Sequence, residues 1–72
     1  MNLFDKIVSA SRLSPIFARG AIERALARTG ARAETLTLGQ ARAALPEIQR
    51  SIRPFLQAET EAVMADIEAV VR

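Results

Sequence analysis

PFLQAETEAVMADIEAVV, residues 54–71, is the stretch on which the reading of this chain turns. Its apolar side chains recur in two helical phases at once. Phe55, Ala58, Ala62, Ala65 and Ala69 step by three and four and form a seam of mostly small side chains. Leu56, Thr60, Val63, Ile67 and Val70 step by four and three and form a bulkier one. At 100° per residue the two seams lie roughly 135° apart. A surface helix needs one apolar stripe to face its core. Two stripes predict contact on two sides, with the chain's own core on one and a partner helix on the other. The Phe55, Ala58, Ala62, Ala65, Ala69 seam is the candidate partner-binding surface, because small side chains let a second backbone come near. Alanine is also the best helix former at solvated positions, which accounts for the same pattern without a partner.

Moving toward the N-terminus, Pro54 and Pro46 each remove a backbone donor and restrict the residue before them. The sequence therefore predicts a break or kink at each, with a short helical piece over residues 46–53 between them. Thr37-Leu38-Gly39-Gln40 is a capping box that opens a helix over residues 38–45. Residues 31–36 form a connector, and Thr and Leu alternate through Glu34–Thr37 as in a brief extended pair. Ser14-Pro15 starts a helix that Thr29-Gly30 ends, with proline at the first helical position and Gly30 suited to the left-handed position after the helix. Its core face is Ala18, Ala21, Ile22, Ala25 and Leu26. At the start, Leu3, Phe4, Ile7 and Val8 recur at helical spacing behind Asn2 as a cap. Phe4, Phe17 and Phe55 all fall on apolar faces and are assigned to the core.

The expected fold is all-α, a small bundle of four to five short helices with a Pro-punctuated C-terminal half and a long last helix. It forms a single domain over residues 1–72. Residues 1–13 make the N-terminal helix, 15–45 a helix-loop-helix core, and 46–72 the Pro-broken C-terminal helices.

The chain has 72 residues, and a chain this short buries only about 60% of its unfolded surface. Small domains are commonly stapled by a disulfide, a metal or a partner. There is no Cys, His, Trp or Tyr, so disulfides and thiolate or imidazole metal sites are excluded, and a partner is the staple that remains. Without His the usual general base near neutral pH is missing, and Lys6 is the sole lysine. No catalytic residue, cofactor or metal is expected, and the chain reads as non-enzymatic. No apolar run approaches the ~20 residues of a membrane-spanning helix, and the cytoplasm is the expected location.

Charge is uneven along the chain: residues 1–53 carry +5 and residues 54–72 carry −3. Such charges ordinarily form solvated faces; the sharper reading sets the acidic last helix against Arg-bearing helices of the same chain or of a second copy, with Glu59 and Asp66 meeting Arg24, Arg28 or Arg42. Arg24, Arg28, Arg32 and Arg42 are the candidate anion or nucleic-acid contacts. No aromatic side chain accompanies them for base stacking.

Pro15-Ile16-Phe17-Ala18-Arg19, then Ala21-Ile22-Glu23-Arg24, Gly30 and Leu36-Thr37 resemble the small C-terminal domain of the light-independent protochlorophyllide reductase. The match covers under half the chain, and the helix between Arg19 and Gly30 is about one turn shorter. The resemblance implies a helical accessory or docking module tied to tetrapyrrole or nitrogenase-like reductases, without catalytic residues of its own. Pro15-Ile16, Gly30-Ala31, Leu36-Thr37, Ala41-Arg42 and Leu45 are also similar to the start of archaeal histones, which implies a small basic nucleic-acid-binding protein. Pro46 falls inside what would be the long middle helix of that family. The functional expectation is a helical protein-interaction or accessory module, docking on a protein partner or on itself as a homodimer, with histone-like nucleic-acid binding as the alternative.

Overall fold

The computed structural model describes residues 2–72. Met1, which the sequence assigns to the first helix, lies outside the described residues. Among the described residues four α-helices carry the fold: α1 (Leu3–Ala10), α2 (Pro15–Arg28), α3 (Leu38–Leu56) and α4 (Thr60–Val70), with single 3₁₀ turns at Ala33–Thr35 and Gln57–Glu59. Among the described residues there is no strand, and the expected extended pair at Glu34–Thr37 is instead the 3₁₀ turn and its exit.

The local signals set the helix starts. Asn2 accepts a hydrogen bond from the Asp5 N–H at 2.8 Å, capping α1. Pro15 is the first residue of α2. At the end of α2 the Gly30 N–H donates to the Ala27 carbonyl and the Ala31 N–H to the Leu26 carbonyl, both at 3.0 Å. Gly30 itself stands at φ 81°. This is the paired closure of a Schellman motif, and glycine takes it without a Cβ penalty. Thr37 and Gln40 close the capping box in both directions at 3.1 Å.

Helix α1 stops at Ala10, short of the expected Leu13. Buried Ser11 is the reason. Its hydroxyl donates to the Val8 carbonyl at 2.6 Å and accepts from the Leu13 N–H at 3.3 Å. The turn between them puts Arg12 at φ 63°.

The largest correction concerns the prolines. Helix α3 runs through both Pro46 and Pro54 as one 19-residue helix, merging pieces that the proline rule alone keeps apart. An interior proline costs about 3 kcal/mol. Against that, an unbroken helix keeps Ala41, Ala44, Ile48 and Ile52 on one fully buried face. Each buried isoleucine contributes about 1.5–3 kcal/mol. Both prolines lie on the opposite, exposed face, and the N–H groups they lack are those that would have bonded the carbonyls of Arg42 and Arg50.

The chain breaks instead at Gln57, which has φ 49° and ψ −112°. There the direction reverses, and α4 returns antiparallel along α3. The long last helix expected from Pro54 therefore begins only at Thr60. Thr60 is fully buried, and its hydroxyl is satisfied by the Gln57 carbonyl at 2.7 Å.

The strongest contacts run around a ring, from α1 to α2, α2 to α3, α3 to α4 and α4 back to α1. Phe4, Ile7, Ile22, Leu26, Ile48, Ile52, Val63 and Ile67 fill the centre. The predicted core face of α2 is buried throughout. So is the bulky seam of α4 at Thr60, Val63 and Ile67, with Leu56 and Val70 half-buried. No helix among the described residues is long and apolar enough to cross a membrane.

Candidate functional site

The reversal at Gln57 divides the small-residue seam among three elements. Phe55 belongs to α3, Ala58 to the 3₁₀ turn, and Ala62, Ala65 and Ala69 to α4. All five are exposed. On α4 the three alanines form the outermost line, opposite the buried seam. Acidic side chains flank that line: Asp66 toward α1 and Glu61 toward α3.

These carboxylates meet other partners than expected. Asp66 pairs with Arg12 at the end of α1, and Glu61 pairs with Arg53 of α3 at 3.3 Å. Neither Glu59 nor Asp66 reaches Arg24, Arg28 or Arg42. Arg24 and Arg28 stand on α2, whereas α4 packs mainly on α1 and α3; Arg42, at the start of α3, meets the far end of α4 at Val71 instead. Exposed pairs of this kind contribute only ~0–1 kcal/mol each. Among the described residues no three carboxylates converge.

Phe55 turns away from α4. Its ring meets Phe17 of α2 edge-on, with centroids 4.4 Å apart. Only Phe4 of the three phenylalanines is in the core; Phe17 is 41% and Phe55 54% exposed. Beside them Ile16 is 89% exposed in the first turn of α2. The assignment of Phe17 and Phe55 to the core fails because both stand at helix ends. Phe17 lies in the first turn of α2 and Phe55 in the last turn of α3, where no further turn covers them. Three large apolar side chains thus share one edge of the bundle, a feature that periodicity alone does not reveal.

The four candidate arginines are spread over the molecule. Arg28 donates to the Ser51 hydroxyl at 3.0 Å and lies 3.6 Å from Glu47. Arg32 lies 3.9 Å from Glu34 in the connector. Arg42 donates through Nε to the Val71 carbonyl at 2.7 Å, which ties the C-terminal end of α4 to the start of α3. Arg24 folds back along its own helix over Gly20. A cation at a helix C-terminus is favoured by the helix dipole, and a hydrogen bond from a charged donor contributes about 1.5–3 kcal/mol. Arg42→Ala is therefore expected to lower stability by about 1–2 kcal/mol, while Arg24→Ala changes it by less than about 0.5 kcal/mol. Urea titrations of the two variants check this, and equal losses would remove the structural role given to Arg42.

Arg50 and Arg53 stand on the outer face of α3. With Pro46, Gln49, Pro54 and Gln57 they line an open groove there. Among the described residues Arg50 pairs only with Glu47 of its own helix, at 3.2 Å, and remains 76% exposed. Compared with family models, with characterised proteins and with solved structures, the chain shows no match.

Proposed function

We propose that this chain is a non-enzymatic docking module that engages a protein partner through the edge formed by Ile16, Phe17 and Phe55. The observation that carries the reading is their exposure. A domain of this size has little apolar surface to spare, yet it leaves an isoleucine and an aromatic pair in water at one edge. Clusters of exposed aromatic and aliphatic side chains mark protein contacts, and aromatic anchors of this kind dominate binding energy when a partner desolvates them.

The surroundings favour a partner with acidic as well as apolar character, since Arg24 and Arg28 of α2 are both exposed, with Arg28 lying 3.6 Å from Glu47. The resemblance of residues 15–42 points to a subunit of a tetrapyrrole or nitrogenase-like reductase as that partner. Histone-like nucleic-acid binding is less well supported. Arg28, Arg32 and Arg42 already have oxygen partners within the chain, which phosphates would have to replace.

Ile16→Asp tests the reading. An acidic residue in the first turn suits the α2 dipole, so stability is expected to stay within about 0.5 kcal/mol. Capture of the partner from native extract is expected to fall at least about tenfold, the loss of ~1.4 kcal/mol at one anchor. Unchanged capture by Ile16→Asp together with Phe55→Ala would sink the proposal.

A further inference from the structure

We infer that a second copy of this chain binds across the α3–α4 face, giving a two-fold dimer in which each basic α3 groove meets the other copy's acidic α4 ridge. This goes beyond the docking reading, because it uses the charged α3–α4 face rather than the apolar edge at Ile16, Phe17 and Phe55.

Two strips of opposite charge lie side by side on this face. The outer face of α3 presents Arg50 and Arg53 between its two prolines. The outer face of α4 presents Glu61 and Glu68 beside the alanine line. The Arg53–Glu61 pair at 3.3 Å bridges the seam between these helices, so the strips are immediate neighbours. All four charged side chains are exposed, Arg50 at 76% and Glu61 at 69%.

Symmetry then sets the occupant. A two-fold axis running parallel to the helices within the interface exchanges left and right. It places the α3 strip of each copy over the α4 strip of the other. The face is complementary to itself under that one operation, which is what an isologous dimer requires. A contact meeting like with like would instead set Arg50 and Arg53 against their own copies. Ala62, Ala65 and Ala69 add no bulk to keep the two layers apart.

Size predicts the strength. A standard interface removes about 800 Å² from each partner, close to a fifth of the 4268 Å² surface of this chain. Two helix faces of about three turns offer less than that, so association is weak and, being carried by exposed charge, salt-sensitive.

Sedimentation equilibrium of the full chain, from micromolar to millimolar concentration at low and high ionic strength, gives the test. A monomer–dimer equilibrium is expected at low salt, weakened about tenfold or more at high salt. Arg50→Glu with Arg53→Glu is expected to give a monomer, and so is Glu61→Arg with Glu68→Arg. Mixed in equal amounts, the two double variants are expected to form a heterodimer, because their faces are then complementary again. If circular dichroism finds either double variant unfolded, Arg50→Glu and Glu68→Arg alone serve in its place, since neither removes more than one exposed pair.

A wild-type chain that stays monomeric throughout at low salt overturns the inference. So does a dimer in either double variant, or a mixture that fails to associate. A dimer that instead dissociates on Ile16→Asp places the second copy on the aromatic edge; it overturns this inference and leaves the docking reading standing. Loss of partner capture by Ile16→Asp with the dimer intact separates the two in the other direction.

Discussion

Ile48→Ala is expected to lower the free energy of unfolding by about 2–5 kcal/mol, whereas Ile16→Ala changes it by less than about 0.5 kcal/mol. The substitution is the same and the surroundings are opposite. Ile48 is fully buried and Ile16 is 89% exposed. Truncating Ile48 removes three carbons from the centre of α3, the helix that packs on both α2 and α4. The cost combines the lost transfer energy of those carbons with the cavity they leave. The neighbours on the same face, Ala44 and Ile52, cannot refill it: one is too small, and the other is already fully buried. At roughly 0.05–0.15 kcal/mol per residue, a chain of 72 residues has a total stability of about 4–11 kcal/mol. The Ile48 variant should therefore lose up to half of its stability or more. Urea unfolding reads the effect as a fall in midpoint with little change in slope. A loss below about 1 kcal/mol for Ile48→Ala would mean that the centre of the bundle is not packed as described.

What the sequence made legible was local chemistry and single-face periodicity. Asn2, Pro15, Gly30 and the Thr37–Gln40 box each act within a few residues, so their roles need no knowledge of the rest of the chain. The buried face of α2 and the bulky seam of α4 likewise follow from spacing alone. The expectation of a break at the prolines failed because their cost is local while the compensation is not: what carries α3 on through Pro46 is the burial of Ile48 and Ile52 against α2 and α4. Gln57 misled in the reverse sense. Neither glycine nor proline stands at the real break, and the positive φ there is imposed by the return of α4 along α3. The candidate surface was legible only in part. Ala62, Ala65 and Ala69 do share an exposed line, but Phe55 leaves it because the helix containing Phe55 ends before that line begins. The aromatic edge depends on a contact between residues 38 positions apart, which spacing within either helix does not carry.

Pro46→Ala is expected to stabilise the protein, by about 2 kcal/mol. Two opposed effects set the sign. In the folded state alanine restores the N–H that Pro46 lacks and lets it bond the Arg42 carbonyl one turn earlier. Helix propensity values this exchange at about 3 kcal/mol in a helix interior. In the unfolded state alanine frees a backbone that proline had restricted, which returns about 0.4–1 kcal/mol. The difference remains favourable. Position 46 is exposed, so the change creates no cavity, and the Arg42 side chain keeps its separate bond to the Val71 carbonyl. For a domain of this size the melting temperature should rise by roughly 10 °C. Pro54→Ala is expected to gain less, because it stands two residues from the end of α3, where the last turn is held loosely in any case. Calorimetry of the two variants separates them. A Pro46→Ala chain no more stable than the parent would show that the helix is already relaxed around the ring. In that event α3 pays no penalty at Pro46, and burial of Ile48 and Ile52 is not what carries it through its prolines.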